Sequence, residues 1–361
     1  MLNRDLPPAG RLPLLLFGML SLVGGSLAGL TRLGWPLPAA SAAGWHGALM
    51  ISAFFGTVIS LERAVALGRS WAYLAPACAG SAGLVLLAGG NPLVPQILCL
   101  VAAGIMLVAS AVIMRRQAAL FTVTLAIAVA CWLGGNLYWL LDTHLLRALP
   151  WWLSFLVLTI AGERLELTRF LPTPPRARLS FMAITAALLA ANVISSQDEH
   201  LGLQLFAAAL FALALWLLRY DIARRNARLQ GLPRFIALCL LSGYAWLAAA
   251  GLIGLAGGLQ NGHTWRDAAL HCIGLGFVFA MVFGHAPVIF PAVTRIRIPF
   301  HASLYIPLIL LHISLGLRIL GGLGGHDALR QWGGLFNGLV LLSFVATLLM
   351  LIRRNPERNA P

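Results

Sequence analysis

Two histidines stand at the same end of two long apolar runs, where their ring nitrogens could bind a metal. His46 begins the run 45–63, and His271 lies near the start of the run 268–291. These are the second and tenth apolar runs, so in a membrane both begin on the same side and place both rings at a similar depth. Two neutral imidazoles at one depth on different helices suit a six-coordinate haem b. The alternative is that each is an interfacial histidine bonded to the main chain or to water.

Arginines flank both histidines on that side of the membrane. Arg32 follows the first apolar run, and Arg266 precedes the tenth. A guanidinium group pairs with a carboxylate through a fork of two hydrogen bonds. We therefore expect Arg32 and Arg266 to bind the two propionate groups of the haem.

A third histidine, His285, follows His271 on the same run. In a continuous α-helix the separation corresponds to a rise of about 21 Å and a rotation of about 40°. The two rings would share a face but not a metal, so His285 predicts a second metal site or a proton or substrate site. Pro287 and Pro291 cannot donate to the carbonyl groups four residues before them, which predicts a break in the helix. Alternatively, His285 bonds to one of the freed carbonyl groups.

Charged pairs occur near the opposite end of two runs, the second, which His46 begins, and the sixth. Glu62-Arg63 lies in "ISLERAVALGR", and Glu163-Arg164 lies in "TIAGERLELTR". Ionisable residues inside a membrane are costly and usually mark a site. The repeated pair predicts an internal repeat of four helices, hence three four-helix units. The alternatives are that each glutamate neutralises an arginine between helices or lines a proton or substrate path. His312 is a further polar residue, within the eleventh run.

The composition requires that membrane helices position these residues. Of 361 residues, 60% are apolar and 10% are charged, against about 25% charged in soluble domains. Such a chain is not a soluble globule, and each membrane span needs about 20 apolar residues. The sequence predicts an all-α polytopic membrane protein with a single transmembrane domain over residues 1–361. Twelve spans are expected, at 12–30, 45–63, 72–89, 93–114, 119–140, 151–169, 179–195, 201–219, 233–257, 268–291, 301–320 and 332–352.

The basic residues predict the orientation. All 25 are arginines, and the net charge is +14. They are spread over the loops, which argues against a nucleic-acid partner and leaves the lipid bilayer as the expected one. Twenty lie in the N-terminal segment or after even-numbered spans, and five lie on the other side: Arg32, Arg147, Arg266, Arg318 and Arg330. By the positive-inside rule, both termini are expected in the cytoplasm.

Several stretches resemble the NnrS family of bacterial inner-membrane proteins. They are "WHGALM" in the second span, "AGERLELTRF" in the sixth, and "SGYAWLAAAGL", "ALHCIGLGFVFAM" and "LGLRIL" from the ninth to the eleventh. The resemblance covers about half of the chain. It implies a twelve-helix protein of the inner membrane that binds haem and copper and protects cells from nitric oxide and nitrosative stress. It also places His46 and His271 among the metal ligands.

The chain departs from the NnrS pattern at two places. Ala48 and Leu49 stand where the family has a second histidine and a glutamate, and "GHAPVIFPAVTR" replaces the family's Gly-His-Thr-Gly-Arg. The copper site is therefore expected to be missing or rebuilt around His285. The positions of His46 and His271 also resemble the catalytic subunit of haem-copper oxidases and nitric oxide reductases. The His-His pair and the His-x-His of that subunit are absent, so a working oxidase is not expected.

The sequence thus predicts a divergent NnrS-like haem protein, linked to nitric oxide, nitrosative stress or respiratory redox metabolism. Whether chemistry occurs at the haem, which redox partner serves it and which oligomer forms are left open. The alternative is a secondary transporter or permease for a small solute, without haem. That alternative predicts a cavity in mid-membrane near Glu62, Glu163 and His285.

Overall fold

The protein is described by a computed structural model that covers residues 5–37, 40–142, 145–169 and 174–354. All of the regular secondary structure in these residues is helical. Apolar segments of this length form helices because a lipid environment offers no hydrogen-bond partners to the main chain. The long helices are α1 Pro8–Arg32, α2 Ala48–Leu67, α3 Leu74–Leu87, α4 Leu93–Arg116, α5 Leu120–Leu141, α6 Ala148–Thr168, α7 Pro175–Ser195, α8 Glu199–Tyr220, α9 Leu232–Gly258, α10 Arg266–Thr294, α11 Tyr305–Gly324 and α12 Asp327–Arg353.

The prediction of an all-α polytopic membrane protein is confirmed. Among the described residues, eleven helices are long and apolar enough to cross a membrane. Helix α6 coincides with the sixth predicted span but is not one of the eleven, and its last turns carry Glu163, Arg164 and Glu166. Large apolar side chains such as Val108 and Ile313 are more than half exposed. Exposed apolar faces of this kind are suited to contact with lipid.

The chain forms two compact units. The first contains the described residues up to Glu163 together with Ile289–Arg295, and the second contains Arg164–Val288 and the residues from Ile296 onward. The three four-helix units predicted from the spacing of the Glu-Arg pairs stay a prediction. The prediction of a single domain also stays a prediction.

The first unit packs around indole rings, and a buried arginine joins two of its helices. Trp132 and Trp152 are fully buried in its core. Arg11 is 2% exposed. It donates to the carbonyl of Val293 at 3.1 Å and to Asp5 Oδ2 at 2.6 Å. The guanidinium group thus bonds the end of α10 to the start of α1.

The second unit packs around phenylalanine rings. Phe283 and Phe344 stack with their centroids 3.8 Å apart, and Phe206, Phe235 and Phe277 are fully buried. In α10, helical conformation continues through Pro287 and Pro291 to Thr294. The break predicted at these prolines is therefore wrong.

In the described ranges, three helices contain π-helical segments, in which the hydrogen bonds join residues i and i+5. These segments are Ala48–Phe55 in α2, Gly254–Gly258 in α9 and Cys272–Phe279 in α10. The segments in α2 and α10 are each eight residues long and begin within two residues of His46 and His271. Such segments are rare in proteins, and those that occur often lie at functional sites.

Candidate functional site

The His46 ring rests on two glycines of α1. Its Nδ1 lies 2.7 Å from the carbonyl oxygen of Gly25. A methyl group at Gly29 would lie 2.8 Å from Cε1 and Nδ1 of the ring, so only glycine leaves this space. Because a carbonyl oxygen can only accept, the contact places the ring proton on Nδ1 and the lone pair on Nε2.

The turn that follows His46 is fixed by a buried polar network. Ser52, within the π-helical segment, donates to Asn136 Oδ1 at 2.7 Å and accepts from Trp132 Nε1 at 2.9 Å. Asn136 also accepts from Trp152 Nε1 and donates to the carbonyl of Cys99. A buried network with its partners in place rigidifies its surroundings. This network could not be predicted from the sequence, because Ser, Asn and Trp inside an apolar run have no distinctive spacing.

His271 has the same orientation of its ring proton as His46, with a carboxylate added. Its Nδ1 lies 2.8 Å from the carbonyl oxygen of Asp267 and 3.2 Å from the carboxylate Oδ1 of the same residue. Arg318 holds that carboxylate through two hydrogen bonds, of 2.9 Å from Nε and 2.7 Å from Nη2. Histidines that bind metals commonly donate their second ring N–H to a carbonyl or carboxylate group. His46 and His271 both have this feature.

The two arginines predicted to bind propionates lie at helix ends. Arg32 is the last residue of α1 and is exposed. Arg266 is the first helical residue of α10, one turn before His271, and is half-buried. Their role as propionate partners stays a prediction.

His285 belongs to a cluster of buried polar residues. Its Nδ1 lies 2.8 Å from the carbonyl oxygen of Met281, and its Nε2 lies 2.9 Å from Nη2 of Arg164. A guanidinium group can only donate, so Nε2 accepts and Nδ1 carries the proton. His285 therefore bonds the carbonyl of Met281 rather than one of those freed by the prolines. A metal at Nε2 would have to displace Arg164, so the role of His285 as a ligand stays a prediction.

Asp221 and Tyr244 complete this cluster. The Tyr244 hydroxyl donates to Asp221 Oδ2. The pKa of Asp221, which lies beyond the end of α8, is raised by burial; the charge of Arg164 and the Tyr244 hydroxyl oppose the rise. Neither residue was a candidate from the sequence, because Asp221 lies outside the apolar runs and a tyrosine in α9 is unremarkable in a membrane helix.

One residue of each Glu-Arg pair, Arg63 and Glu163, contacts the other pair. Arg63 Nη2 lies 3.2 Å from Glu163 Oε1, and both side chains are mostly buried. This contact is the neutralisation between helices that the sequence offered as one alternative. Glu62 is half-buried. Arg164 makes its hydrogen bond with His285 instead of with a glutamate.

His312 is held by an indole ring. Its Nδ1 accepts from Trp246 Nε1 at 3.0 Å, and the two rings stack with centroids 6.4 Å apart. The ring proton therefore lies on Nε2, which is buried and has no hydrogen-bond partner in the described part of the chain. The structure thus places His312 against Trp246.

The described residues contain no group of three or more His, Cys, Asp or Glu side chains that could hold a metal ion. A haem takes only two axial nitrogens from the protein, so this finding does not bear on the haem prediction. The copper prediction depends on the NnrS resemblance alone.

Comparison with protein-family models shows the family of the chain. No curated protein matches the chain. A family model described as "Domain of unknown function (DUF8744)" matches residues 11–353, which is nearly the whole chain. The protein therefore belongs to the DUF8744 family.

Proposed function

We propose that this multi-pass membrane protein binds haem b with His46 and His271 as axial ligands. One observation carries the proposal: each ring directs its Nδ1 proton to a main-chain carbonyl, of Gly25 or of Asp267. The lone pair is then on Nε2 in both residues, which is the form that binds haem iron. The equal depth of the two histidines is an expectation from the sequence.

The surrounding residues suit the role of ligand supports. Gly29 leaves room for the His46 ring, and a side chain there would push the ring from its carbonyl partner. The carboxylate of Asp267, held by Arg318, favours a ligand of increased basicity at His271. When bound, haem supplies one-electron redox chemistry. The protein residues hold the iron and fix the orientation of both rings.

The cellular setting follows from the sequence and belongs to the same proposal. The excess of arginines on one side supports an orientation with both termini in the cytoplasm. The NnrS resemblance supports a place in the bacterial inner membrane and a role in nitrosative stress or respiratory redox metabolism, with nitric oxide or a redox protein as partner. Copper as a second cofactor rests on that resemblance only.

An absorption spectrum of the purified protein tests the proposal. Protein expressed with a haem precursor should show a Soret band, which His46→Ala and His271→Ala should weaken or shift. His326→Ala, at an exposed residue before α12, should leave the band unchanged. Added imidazole should restore the band of His271→Gly, because a free ligand can replace a lost one. A colourless wild type, or a band unchanged in both ligand variants, refutes the proposal.

A transporter for a small solute is the second candidate. The buried Arg164 and Asp221 and the half-buried His285 favour it, because polar residues inside transporter bundles often line a substrate or proton path. This candidate predicts a colourless protein that takes up a solute in proteoliposomes. A Soret band that depends on His46 and His271 would count against it.

A further inference from the structure

The cluster of Arg164, Asp221, Tyr244 and His285 has a composition unusual for a membrane protein interior. Arg164 is 3% exposed, Asp221 is 6% exposed, and Tyr244 is fully buried. The four residues come from α6, the segment after α8, α9 and α10. Buried ionisable groups are costly unless they are paired and fully hydrogen-bonded. Whether each buried polar atom of the cluster has a hydrogen-bond partner therefore indicates whether the cluster is structural or functional.

The pairing is incomplete at two atoms. Asp221 Oδ2 accepts from the Tyr244 hydroxyl, but Oδ1 is buried and has no hydrogen-bond partner among the described residues. Arg164 donates from Nη2 to His285, but its Nε is likewise buried without a partner in that part of the chain. The cluster thus contains one open acceptor and one open donor. A buried structural network would be expected to satisfy both.

The open acceptor is the oxygen that can take up a proton. Protonated Asp221 would still accept from Tyr244 through Oδ2 and would carry the new O–H bond on Oδ1. Burial raises the pKa of Asp221, which favours this neutral form; the charge of Arg164, the Tyr244 hydroxyl and the main-chain N–H groups of Ile222 and Ala223 favour the carboxylate. His285, the remaining titratable group of the cluster, accepts from Arg164 through Nε2.

We propose that Asp221 is the proton-accepting group of a buried proton-exchange site whose other members are Arg164, Tyr244 and His285. Oδ1 takes a proton from hydronium and releases water, and the reverse step returns the proton to water. The open Nε–H of Arg164 suits a neutral water molecule, which can accept a hydrogen bond from it. The site lies at the arginine-rich end of α8, so it would exchange protons with the cytoplasm if the predicted orientation holds. This proposal does not depend on haem binding.

Infrared difference spectroscopy tests the proposal on the full chain in lipid nanodiscs. Stepping the pH should reveal the C=O band of a protonated carboxyl group, which shifts in D₂O and disappears with a midpoint above that of an ordinary aspartate. Asp221→Asn should remove the band. Asp327→Asn, at an exposed residue of α12, should leave the band unchanged. No titrating band, or a band that survives Asp221→Asn, overturns the proposal.

Three further substitutions keep the test decisive if Asp221→Asn does not fold. Tyr244→Phe removes the donor to Oδ2 and should move the midpoint to higher pH by about one unit. Arg164→Gln removes the nearby positive charge and should also move it upward, whereas Arg164→Lys should move it less. A midpoint that is the same in all three variants as in the wild type would show that the band belongs to another carboxyl group, which overturns the proposal.

Discussion

Replacing Gly29 with alanine should dislodge the His46 ring. The added methyl group would lie 2.8 Å from two ring atoms, closer than carbon and nitrogen atoms pack without a shift. The ring is held at its other edge by the 2.7 Å contact between Nδ1 and the carbonyl of Gly25. The ring can therefore escape the methyl group only by weakening that hydrogen bond or by spreading α1 and α2.

The size of the effect follows from three contributions. Overpacking a tight contact costs about 1–3 kcal/mol, and losing one hydrogen bond costs about 0.5–1.5 kcal/mol. Alanine is a better helix former than glycine, which offsets up to about 1 kcal/mol. We expect a net loss of about 1–3 kcal/mol in the free energy of unfolding. If His46 binds haem, the haem affinity should also fall by about 10–100-fold, as for other residues that orient ligands.

Gly47→Ala is the matched control, because it lies beside His46 in a helical conformation and a methyl group there meets nothing within 4 Å. The control should gain the helix propensity of alanine without any clash. Thermal unfolding in detergent compares the two variants, and the rate of haem transfer to apomyoglobin compares their haem affinity. If Gly29→Ala is as stable as Gly47→Ala, the ring is not held as described and the reasoning is refuted.

Three further predictions concern other buried polar groups. Arg11→Met should lower the free energy of unfolding by about 3–5 kcal/mol, because it leaves the partners of a buried cation unpaired; Arg116→Met, at an exposed position, should change the melting temperature little. Asn136→Leu should cost about 1–3 kcal/mol for each polar partner left unsatisfied, measured in the same way. Burial raises the pKa of Asp221, so its contribution to stability is present below the ordinary aspartate pKa and is lost as the pH rises through the raised value. The melting temperature of Asp221→Asn should therefore fall less than that of the wild type from acid to neutral pH.

Each of the three has an outcome that contradicts it. Equal decreases in the free energy of unfolding for Arg11→Met and Arg116→Met would mean that the hydrogen bonds of Arg11 to the carbonyl of Val293 and to Asp5 do not stabilise the fold. An unchanged melting temperature in Asn136→Leu would show that the network is dispensable. A wild type and an Asp221→Asn variant with parallel pH profiles would mean that the carboxyl group titrates as in the unfolded chain.

The helices could be predicted closely from the sequence. The runs 93–114 and 119–140 correspond to Leu93–Arg116 and Leu120–Leu141. The agreement arises because a membrane span needs a minimum number of apolar residues, and a lipid environment leaves the main chain few alternatives to a helix. The constraint acts on length and composition, which can be read directly from a sequence.

The faces of the helices could not be predicted in the same way. The expectation that His271 and His285 share a face assumed α-helical geometry throughout. The π-helical segment Cys272–Phe279 lies between them, and each of its turns takes in about one residue more than an α-turn. The rotation calculated for a continuous α-helix therefore does not apply. Apolar residues of either helix type have the same composition, so the sequence carries no signal for the change.

Residue types that are rare within apolar runs could identify only part of the cluster around Arg164. Arg164 and His285 are rare in this sense, whereas Asp221 lies just outside a run and tyrosine, as at Tyr244, is common in membrane helices. The structure adds a second criterion, whether each buried polar atom has a partner. The Asn136 amide bonds its neighbours through both its oxygen and its nitrogen, as a structural group does. Arg164 and Asp221 each leave one buried atom open. Since an open buried atom costs stability that a functional role can explain, this cluster is where proton exchange should be sought first.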